Sequence, residues 1–161
     1  MREFTVSDLF TRNSSIVNSR TAIVAGDDKL TYGELLYSCD DLASRLTAGN
    51  IEPGDRIAVL AMNHPLFFTL VGAVARMGAV LVPLNWRVAD EELRFILDDS
   101  GTKLLLCDHN FLEKSQNITE NSTAQLCSFS QIEEIFSQVE AGPRHQVRGD
   151  SPFCIIYTAA V

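Results

Sequence analysis

Five short apolar runs recur along the chain. Each contains few polar positions, which is typical of strands that are buried on both faces of a parallel sheet. The runs are Ile57–Met62, Ala79–Val82, Lys103–Cys107, Ala124–Phe129 and Phe153–Thr158. Segments with helical spacing of apolar residues separate most of them, and this alternation is the βαβ rhythm. The sequence therefore predicts an α/β fold, a mainly parallel sheet with helices on both faces.

Capping residues mark the predicted ends of the helices. Thr31 and Glu34 have the spacing of a capping box, and an apolar stripe from Leu35 to Leu46 follows them. Gly49 and Asn50 are predicted to end this helix. Other predicted helices are Ser7–Val17, Pro65–Met77, a helix capped by Asp90 that reaches Leu97, and a helix from the capping box Ser130–Glu133 to about Val139. The polar stretch from Glu113 to Thr123 is predicted to be a connector, and Glu52–Asp55 a type II turn.

The first part of the chain does not follow the βαβ rhythm. Ala22–Val24 can pair with Lys29–Thr31 across a turn at Gly26–Asp28, which predicts a β-hairpin. We therefore predict two units. Residues 1–50 form a helix, hairpin and helix that belong to a second subdomain, and residues 51–161 form the parallel-sheet subdomain.

Composition limits the class of partner. The chain has 161 residues, 46% of them hydrophobic, and a net charge of −8. This length can bury a sizeable core, and the acidic balance disfavours nucleic acid or an anionic membrane surface, because phosphate recognition needs a basic patch. The apolar stretch 65–83 contains Arg76 and is divided by Gly78, so a helix followed by a strand explains it better than a membrane span.

Cysteine spacing and the amino terminus favour a reducing compartment. Cys39, Cys107, Cys127 and Cys154 lack metal-binding or CxxC spacing, and we interpret them as reduced, mostly core residues. The first residues lack the apolar region of a signal peptide. A cytoplasmic location is therefore expected.

Residues with catalytic potential are few. His64, His109 and His145 lack metal-ligand spacing, and no glycine-rich phosphate loop pattern is present. Asp108 and His109 follow a predicted strand, where ligands bind in α/β sheets, but turn and cap roles suit them better. The acidic pairs 40–41 and 98–99 are interpreted as solvated faces or turns, because adjacent helical residues point about 100° apart.

Four stretches together resemble one family. They are Leu30–Leu35 (LTYGEL), Ile51–Val59 (IEPGDRIAV), Ala75–Arg87 (ARMGAVLVPLNWR) and the segment from Asp150-Ser151-Pro152 to Tyr157-Thr158. In order and spacing the set is similar to the N-terminal part of adenylate-forming (AMP-binding) enzymes. The form Pro83-Leu84-Asn85-x-Arg87 resembles the acyl- or aryl-CoA synthetase branch rather than peptide-synthetase adenylation domains.

The resemblance implies a two-step reaction for the parent enzyme. A carboxylic acid and Mg-ATP would give an acyl-adenylate and pyrophosphate, and the thiol of CoA would then displace AMP. ATP, Mg²⁺ and CoA are therefore the cofactors and substrates implied for the parent, with fatty acid metabolism as the expected context. The identity of the acid is not readable here, because the family builds its acyl pocket from later residues.

The chain departs from the family at its end. After Tyr-Thr the family usually continues Ser-Gly-Thr-Thr-Gly, a loop that holds the ATP phosphates, whereas this chain has Ala159, Ala160 and Val161. Thr158, Ala159 and Ala160 would thus stand at the start of the phosphate loop, without its serine hydroxyl or its glycine freedom. We expect this chain alone to bind no cofactor usefully and to be inactive. The alternative is a stand-alone α/β scaffold or pseudoenzyme with a role in assembly.

Two further expectations follow from the resemblance. An arginine at the place of Arg87 lies near the CoA phosphates in some CoA ligases, so Arg87 is a candidate CoA contact; pairing with Glu91 or Glu92 is the structural alternative. The family packs its first residues against a sheet made by later sequence. Without it, the hairpin and the helix after Thr31 should leave apolar surface exposed, and we expect the fragment to self-associate or to be loosely ordered at its N-terminal third.

Overall fold

The computed structural model describes residues 4–132 and 147–158. Its helices are α1 (Val6–Val17), α2 (Tyr32–Ala48), α3 (Pro65–Met77), α4 (Asp90–Ser100) and α5 (Leu112–Thr119). Its strands are β1 (Thr21–Ala25), β2 (Asp28–Thr31), β3 (Arg56–Leu60), β4 (Val80–Pro83), β5 (Thr102–Cys107) and β6 (Gln125–Ser128). Short 3₁₀ turns cover His109–Phe111 and Phe129–Gln131.

The main sheet is parallel and has the strand order β4-β3-β5-β6. Ile57 and Val59 pack in the same core cluster as residues of α2 and α3, whereas Ala58 and Leu60 pack with residues of α4 and α5. Because consecutive strand residues face opposite sides, both sets are buried only when helices cover both faces. The predicted fold class is confirmed. The order reverses between β3 and β5, so their carboxyl ends flank the topological switch point of the sheet.

The fifth predicted strand is reduced to one bridge. Cys154 pairs with Leu81 at the β4 edge. The Leu81 amide donates to the Phe153 carbonyl and the Ile155 amide to the Leu81 carbonyl, both at 2.9 Å. Ile156 is 70% exposed, so the segment is not covered on both faces. The prediction of a regular buried strand over Phe153–Thr158 was wrong, although the segment does lie parallel beside the sheet.

The helices differ from the prediction at two places. Ala89, not Asp90, is the N-cap of α4, and Asp90 is its first residue. Most of helix α5 lies in the stretch that was predicted to be a connector. Its buried side chains are Ser115 and Ile118, and because one of the two is polar, the sequence shows no apolar stripe there. At the end of β6, Ser128 and Gln131 form a capping box, whereas the predicted box of Ser130 needs Glu133, which lies outside the described residues. The predicted continuation to Val139 lies outside the described residues.

The amino-terminal part matches its prediction closely. Strands β1 and β2 form an antiparallel hairpin. The Thr31 hydroxyl accepts from the Glu34 amide at 3.2 Å, and the Glu34 carboxylate accepts from the Thr31 amide at 2.8 Å, which confirms the capping box. Gly54 has a φ of +86°, as the third position of a type II turn requires. Helix α2 contributes Leu42 and Leu46 to the core of the sheet, while the division into subdomains at residue 50 stays a prediction.

No helix in the described ranges combines the length and the apolar character that crossing a bilayer requires. The stretch 65–83 is divided into α3 and β4, with Gly78 in the left-handed conformation between them.

Candidate functional site

The loop that follows β4 presents Arg87 to solvent at the carboxyl end of the sheet. Its backbone is shaped by Asn85, whose Oδ1 accepts from the Arg87 amide at 3.1 Å and whose carbonyl accepts from the Val88 amide at 3.2 Å. The Arg87 guanidinium lies over the Trp86 ring, with Cζ 4.4 Å from the ring centroid. Among the described residues, Arg87 forms no ion pair with Glu91 or Glu92, so stacking replaces the predicted structural alternative.

The Trp86 indole is itself held by a neighbouring element. Its centroid is 5.9 Å from that of Phe111, which lies in the 3₁₀ turn after β5. Lys114 on α5 contacts the same loop, because its ammonium donates to the carbonyls of Trp86 and Val88. Neither Lys114 nor Phe111 was predicted to contact this loop, because both lie more than twenty residues from Trp86 in the sequence and Lys114 falls in the stretch that was predicted to be a connector. A lysine in a polar stretch of sequence does not by itself indicate that its side chain binds the carbonyls of a distant loop.

The segment that leads to Thr158 is tied to α4. The Tyr157 hydroxyl donates to Asp99 Oδ2 at 2.6 Å. Burial, together with this hydrogen bond, raises the pKa of Tyr157 to about 12, so the hydroxyl stays protonated at neutral pH. Asp99 is therefore an acceptor and not only a solvated acid. Thr158 is exposed, and Ala159 and Ala160 lie outside the described residues. Within the described ranges, no hydrogen bond joins Thr158 to Arg87.

The histidine and aspartate candidates mostly act as helix caps. His64 Nδ1 accepts from the Leu66 amide at 3.1 Å at the start of α3, and its ring lies 5.1 Å from that of Phe129. Asp108 accepts from the Asn110 amide at 3.2 Å, which confirms the predicted cap role. His145 lies outside the described residues. Across the ranges that the structure describes, no three His, Cys, Asp or Glu side chains come together as a metal site would require.

Burial disfavours the thiolate form of the cysteines by raising the pKa of their thiols. Cys39, Cys107 and Cys127 are buried, and Cys154 is half-buried. Burial raises the pKa of Cys39 to about 12, although the nearby Arg76 guanidinium opposes the rise, and it raises the pKa of Cys127 to about 11. A thiol is nucleophilic as the thiolate, so these residues suit packing rather than catalysis.

An apolar groove of about 470 Å³ opens between α1, the hairpin, α2 and α3. Its walls include Phe10, Ile23 and Leu35. Two further wall residues are strongly exposed, Val24 at 63% and Phe68 at 57%. The expected uncovered apolar surface is therefore present at the hairpin.

Nearly the whole chain is similar to proteins of one enzyme family. Residues 10–159 match the family described as AMP-binding enzyme. The fatty acid–acyl-carrier-protein ligase ScoC of Streptomyces coeruleorubidus is 32% identical over 143 residues, which are 86% of this chain and 27% of ScoC. A feruloyl-CoA synthase of Amycolatopsis sp is 43% identical over 86 residues, 53% of this chain and 18% of that protein.

The fold comparison agrees. The solved N-terminal domain of FACL13 from Mycobacterium tuberculosis superposes with a TM-score of 0.89 at 27% identity, over 97% of this chain and 42% of that domain. The chain thus spans 27% of the length of ScoC and less than half of the FACL13 domain.

Proposed function

The chain belongs to the AMP-binding enzyme family, and we propose that it is the N-terminal part of an acyl- or aryl-CoA synthetase that is inactive by itself. The observation that carries the proposal is the superposition of 97% of the chain on the FACL13 N-terminal domain, with a TM-score of 0.89. The substrates proposed for the parent are a carboxylic acid, ATP with Mg²⁺, and CoA. The acid proposed is a fatty acid or an aromatic acid, because the relatives include a fatty acid ligase and a feruloyl-CoA synthase.

The proposed reaction has two displacement steps. A carboxylate oxygen attacks the α-phosphorus of ATP and pyrophosphate leaves, which gives the acyl-adenylate. The thiol of CoA then attacks the acyl carbonyl, loses its proton, and AMP leaves. The first step is needed because a carboxylate is a poor electrophile, whereas AMP is a good leaving group. Within this chain, Thr158 with Ala159 and Ala160 would stand at the entrance to the loop that binds the ATP phosphates.

Arg87 is the proposed contact for the nucleotide phosphates of CoA. Arg87 is exposed and its guanidinium lies over an aromatic ring, and a guanidinium suits the recognition of phosphate. The relatives differ in the thiol that accepts the acyl group, since ScoC is by its name a ligase for an acyl-carrier protein. A carrier protein presents its thiol without the CoA nucleotide, so a role of Arg87 in phosphate binding would favour CoA.

We expect the isolated 161-residue polypeptide to show no ATP–pyrophosphate exchange with any carboxylic acid, because most of its relatives' length has no counterpart in it. The matched control is a chimera in which this chain supplies the 86-residue segment that aligns with the Amycolatopsis feruloyl-CoA synthase. The chimera should keep ferulate-dependent exchange within about tenfold of its parent, a change of about 1.4 kcal/mol in the activation barrier.

Two outcomes would contradict this proposal. Exchange by the isolated chain that disappears on Thr158→Val would show that the fragment is a complete catalyst. A folded chimera without exchange would instead favour the scaffold or pseudoenzyme alternative.

We also propose that the isolated chain self-associates through the hairpin groove, with a second copy as occupant. The exposed Val24 and Phe68 support this, because apolar patches of several hundred Å² tend to find partners. Sedimentation should show dimers or larger species at high concentration. Phe68→Ser should weaken the association, whereas Phe95→Ser, an equally exposed phenylalanine on α4 outside the groove, should not.

Amide exchange offers a second measurement of the same proposal. Within residues 20–46, amide exchange should be faster over the hairpin strands than over Ile57–Cys107, because no residue of the hairpin strands is fully buried while β3 and β5 are central in the sheet. A strictly monomeric chain with uniformly slow exchange over residues 20–46 would contradict it and would indicate a self-sufficient domain.

A further inference from the structure

A lysine on α5 fastens the loop that carries Trp86 and Arg87. Lys114 Nζ donates to the Val88 carbonyl at 2.7 Å and to the Trp86 carbonyl at 3.0 Å. The same ammonium lies 3.6 Å from Asp90 Oδ1 at the start of α4. The lysine side chain is only 25% exposed, so its head group lies beneath the loop rather than in solvent.

The Lys114 ammonium has two hydrogen-bond partners and one ion-pair partner. An ammonium has three N–H groups and no acceptor, and here two of them meet backbone carbonyls while the carboxylate of Asp90 balances the charge. Loop carbonyls usually bond to water, so a side chain that takes two of them from one short loop removes much of its freedom. Lys114 is therefore committed to the loop and is not itself available to an anion.

A series of contacts connects the backbone that Lys114 binds to the Arg87 guanidinium. Fixing the Trp86 carbonyl fixes the base of the indole, and the Phe111 ring at 5.9 Å supports its side. The indole in turn is the surface on which the Arg87 guanidinium lies, 4.4 Å from the ring centroid. The Arg87 amide is held from the other side of the loop by Asn85.

We propose that Lys114 is a positioning residue for Arg87: by clamping the Trp86 and Val88 carbonyls it holds the indole, and so the guanidinium, in one orientation toward solvent at the carboxyl end of β4. The placement of the loop stands on the contacts above. Only the identity of the anion, a nucleotide phosphate of CoA, rests on the proposed function. A site that is pre-organised in this way loses less conformational freedom when its ligand arrives.

Trp86 is the single tryptophan of the chain, so its fluorescence reports on this loop alone. We expect Lys114→Met to shift Trp86 emission to longer wavelength and to roughly double its quenching by acrylamide, because the freed loop opens locally. Lys114→Arg, which keeps a cationic donor, should restore part of the protection. Both are measured in protein whose far-UV circular dichroism shows that it is folded.

The matched control is Lys103→Met. Lys103 also bridges a backbone carbonyl and a carboxylate, those of Asn50 and Asp55, both at 2.6 Å, but it lies at the start of β5 and away from the loop. This variant should lower stability without changing Trp86 emission. Unchanged emission and quenching in folded Lys114→Met would overturn the proposal. If Lys114→Met does not fold, the same comparison is made with Lys114→Gln, whose shorter side chain cannot span both carbonyls.

A separate titration distinguishes this proposal from the proposed function. ADP, which carries a diphosphate like that of the CoA nucleotide, is added at millimolar concentrations with adenosine as the control. Quenching of Trp86 by ADP that is lost in Arg87→Met supports the phosphate contact, and it should weaken several-fold in Lys114→Met. Equal quenching by ADP and adenosine would overturn the proposal that Arg87 binds a phosphate. The emission and acrylamide quenching of Lys114→Met without ligand would still decide whether the lysine positions the loop.

Discussion

Replacing Gly72 by alanine is expected to lower the free energy of unfolding by about 2–3 kcal/mol, the upper part of the usual cost of overpacking a core. Gly72 lies in the middle of α3, where this helix packs against α2 and α1. A Cβ at this position would overlap the Cys39 sulfur and come within 3.0 Å of the Phe10 ring. Alanine favours a helix over glycine by about 1 kcal/mol, so the clash must exceed that gain, and overlap with a fully buried thiol does so. Chemical denaturation measures the change.

A double-mutant cycle with Cys39→Ala tests whether the overlap is the cause. Removing the sulfur makes room for the new methyl group, so in this background the cost of Gly72→Ala should fall by at least about 1 kcal/mol. Some cost should remain, because the Cβ of Cys39 would lie at 3.1 Å from the added atom. Independent, additive effects of the two substitutions would show that this helix contact is not what requires glycine.

The second large effect is expected at Arg76. Its guanidinium forms an ion pair with Asp40 on α2, and it donates to the Thr11 hydroxyl on α1 at 3.3 Å. The Arg76 side chain is 10% exposed and that of Asp40 is 31% exposed. Arg76→Met should lower the free energy of unfolding by about 2 kcal/mol, less than the 3–5 kcal/mol of a fully buried pair because water can still reach Asp40. Thermal and urea unfolding measure the loss.

The chain offers a matched control for this charge pair. Arg45 pairs with Asp41 one helical turn away on α2, with side chains 25% and 43% exposed. Arg45→Met should cost less than about 1 kcal/mol, because water and salt screen exposed pairs. Adding Asp40→Asn to Arg76→Met should recover part of the stability, since no uncompensated charge then stays at the helix contact. Equal losses from Arg45→Met and Arg76→Met would contradict the burial argument.

The interpretation of residues 40–41 as a solvated acidic face was wrong for Asp40, which pairs with a largely buried arginine, whereas the Asp41 side chain is 43% exposed. Asp40 and Arg76 lie thirty-six residues apart on helices that pack against each other, so neither the spacing nor the composition of either helix indicates the pair. The same limit applies to Tyr157 with Asp99 and to Lys114 with the loop of Trp86. Each contact depends on which faces of separate elements meet.

Local patterns predicted those elements whose ends and faces are encoded within one or two turns of chain. The capping box of Thr31, the type II turn at Gly54 and the apolar strands β3, β4 and β5 were all predicted, because the pattern that marks each of them lies within a few neighbouring residues. Helix α5 was missed because its buried face includes Ser115, and its stability comes from packing on β5 and β6 rather than from an apolar stripe.

The sequence by itself determined the fold class and the family, because the patterns of buried strands, caps and ordered motifs lie within short segments. Only the tertiary structure decided that Phe153–Thr158 forms a single bridge and that Arg87 stacks on Trp86. It alone decided that Lys114 holds their loop. The physical reason is that an edge segment is ordered by whatever covers it, and a side chain finds its partner only after distant elements have packed.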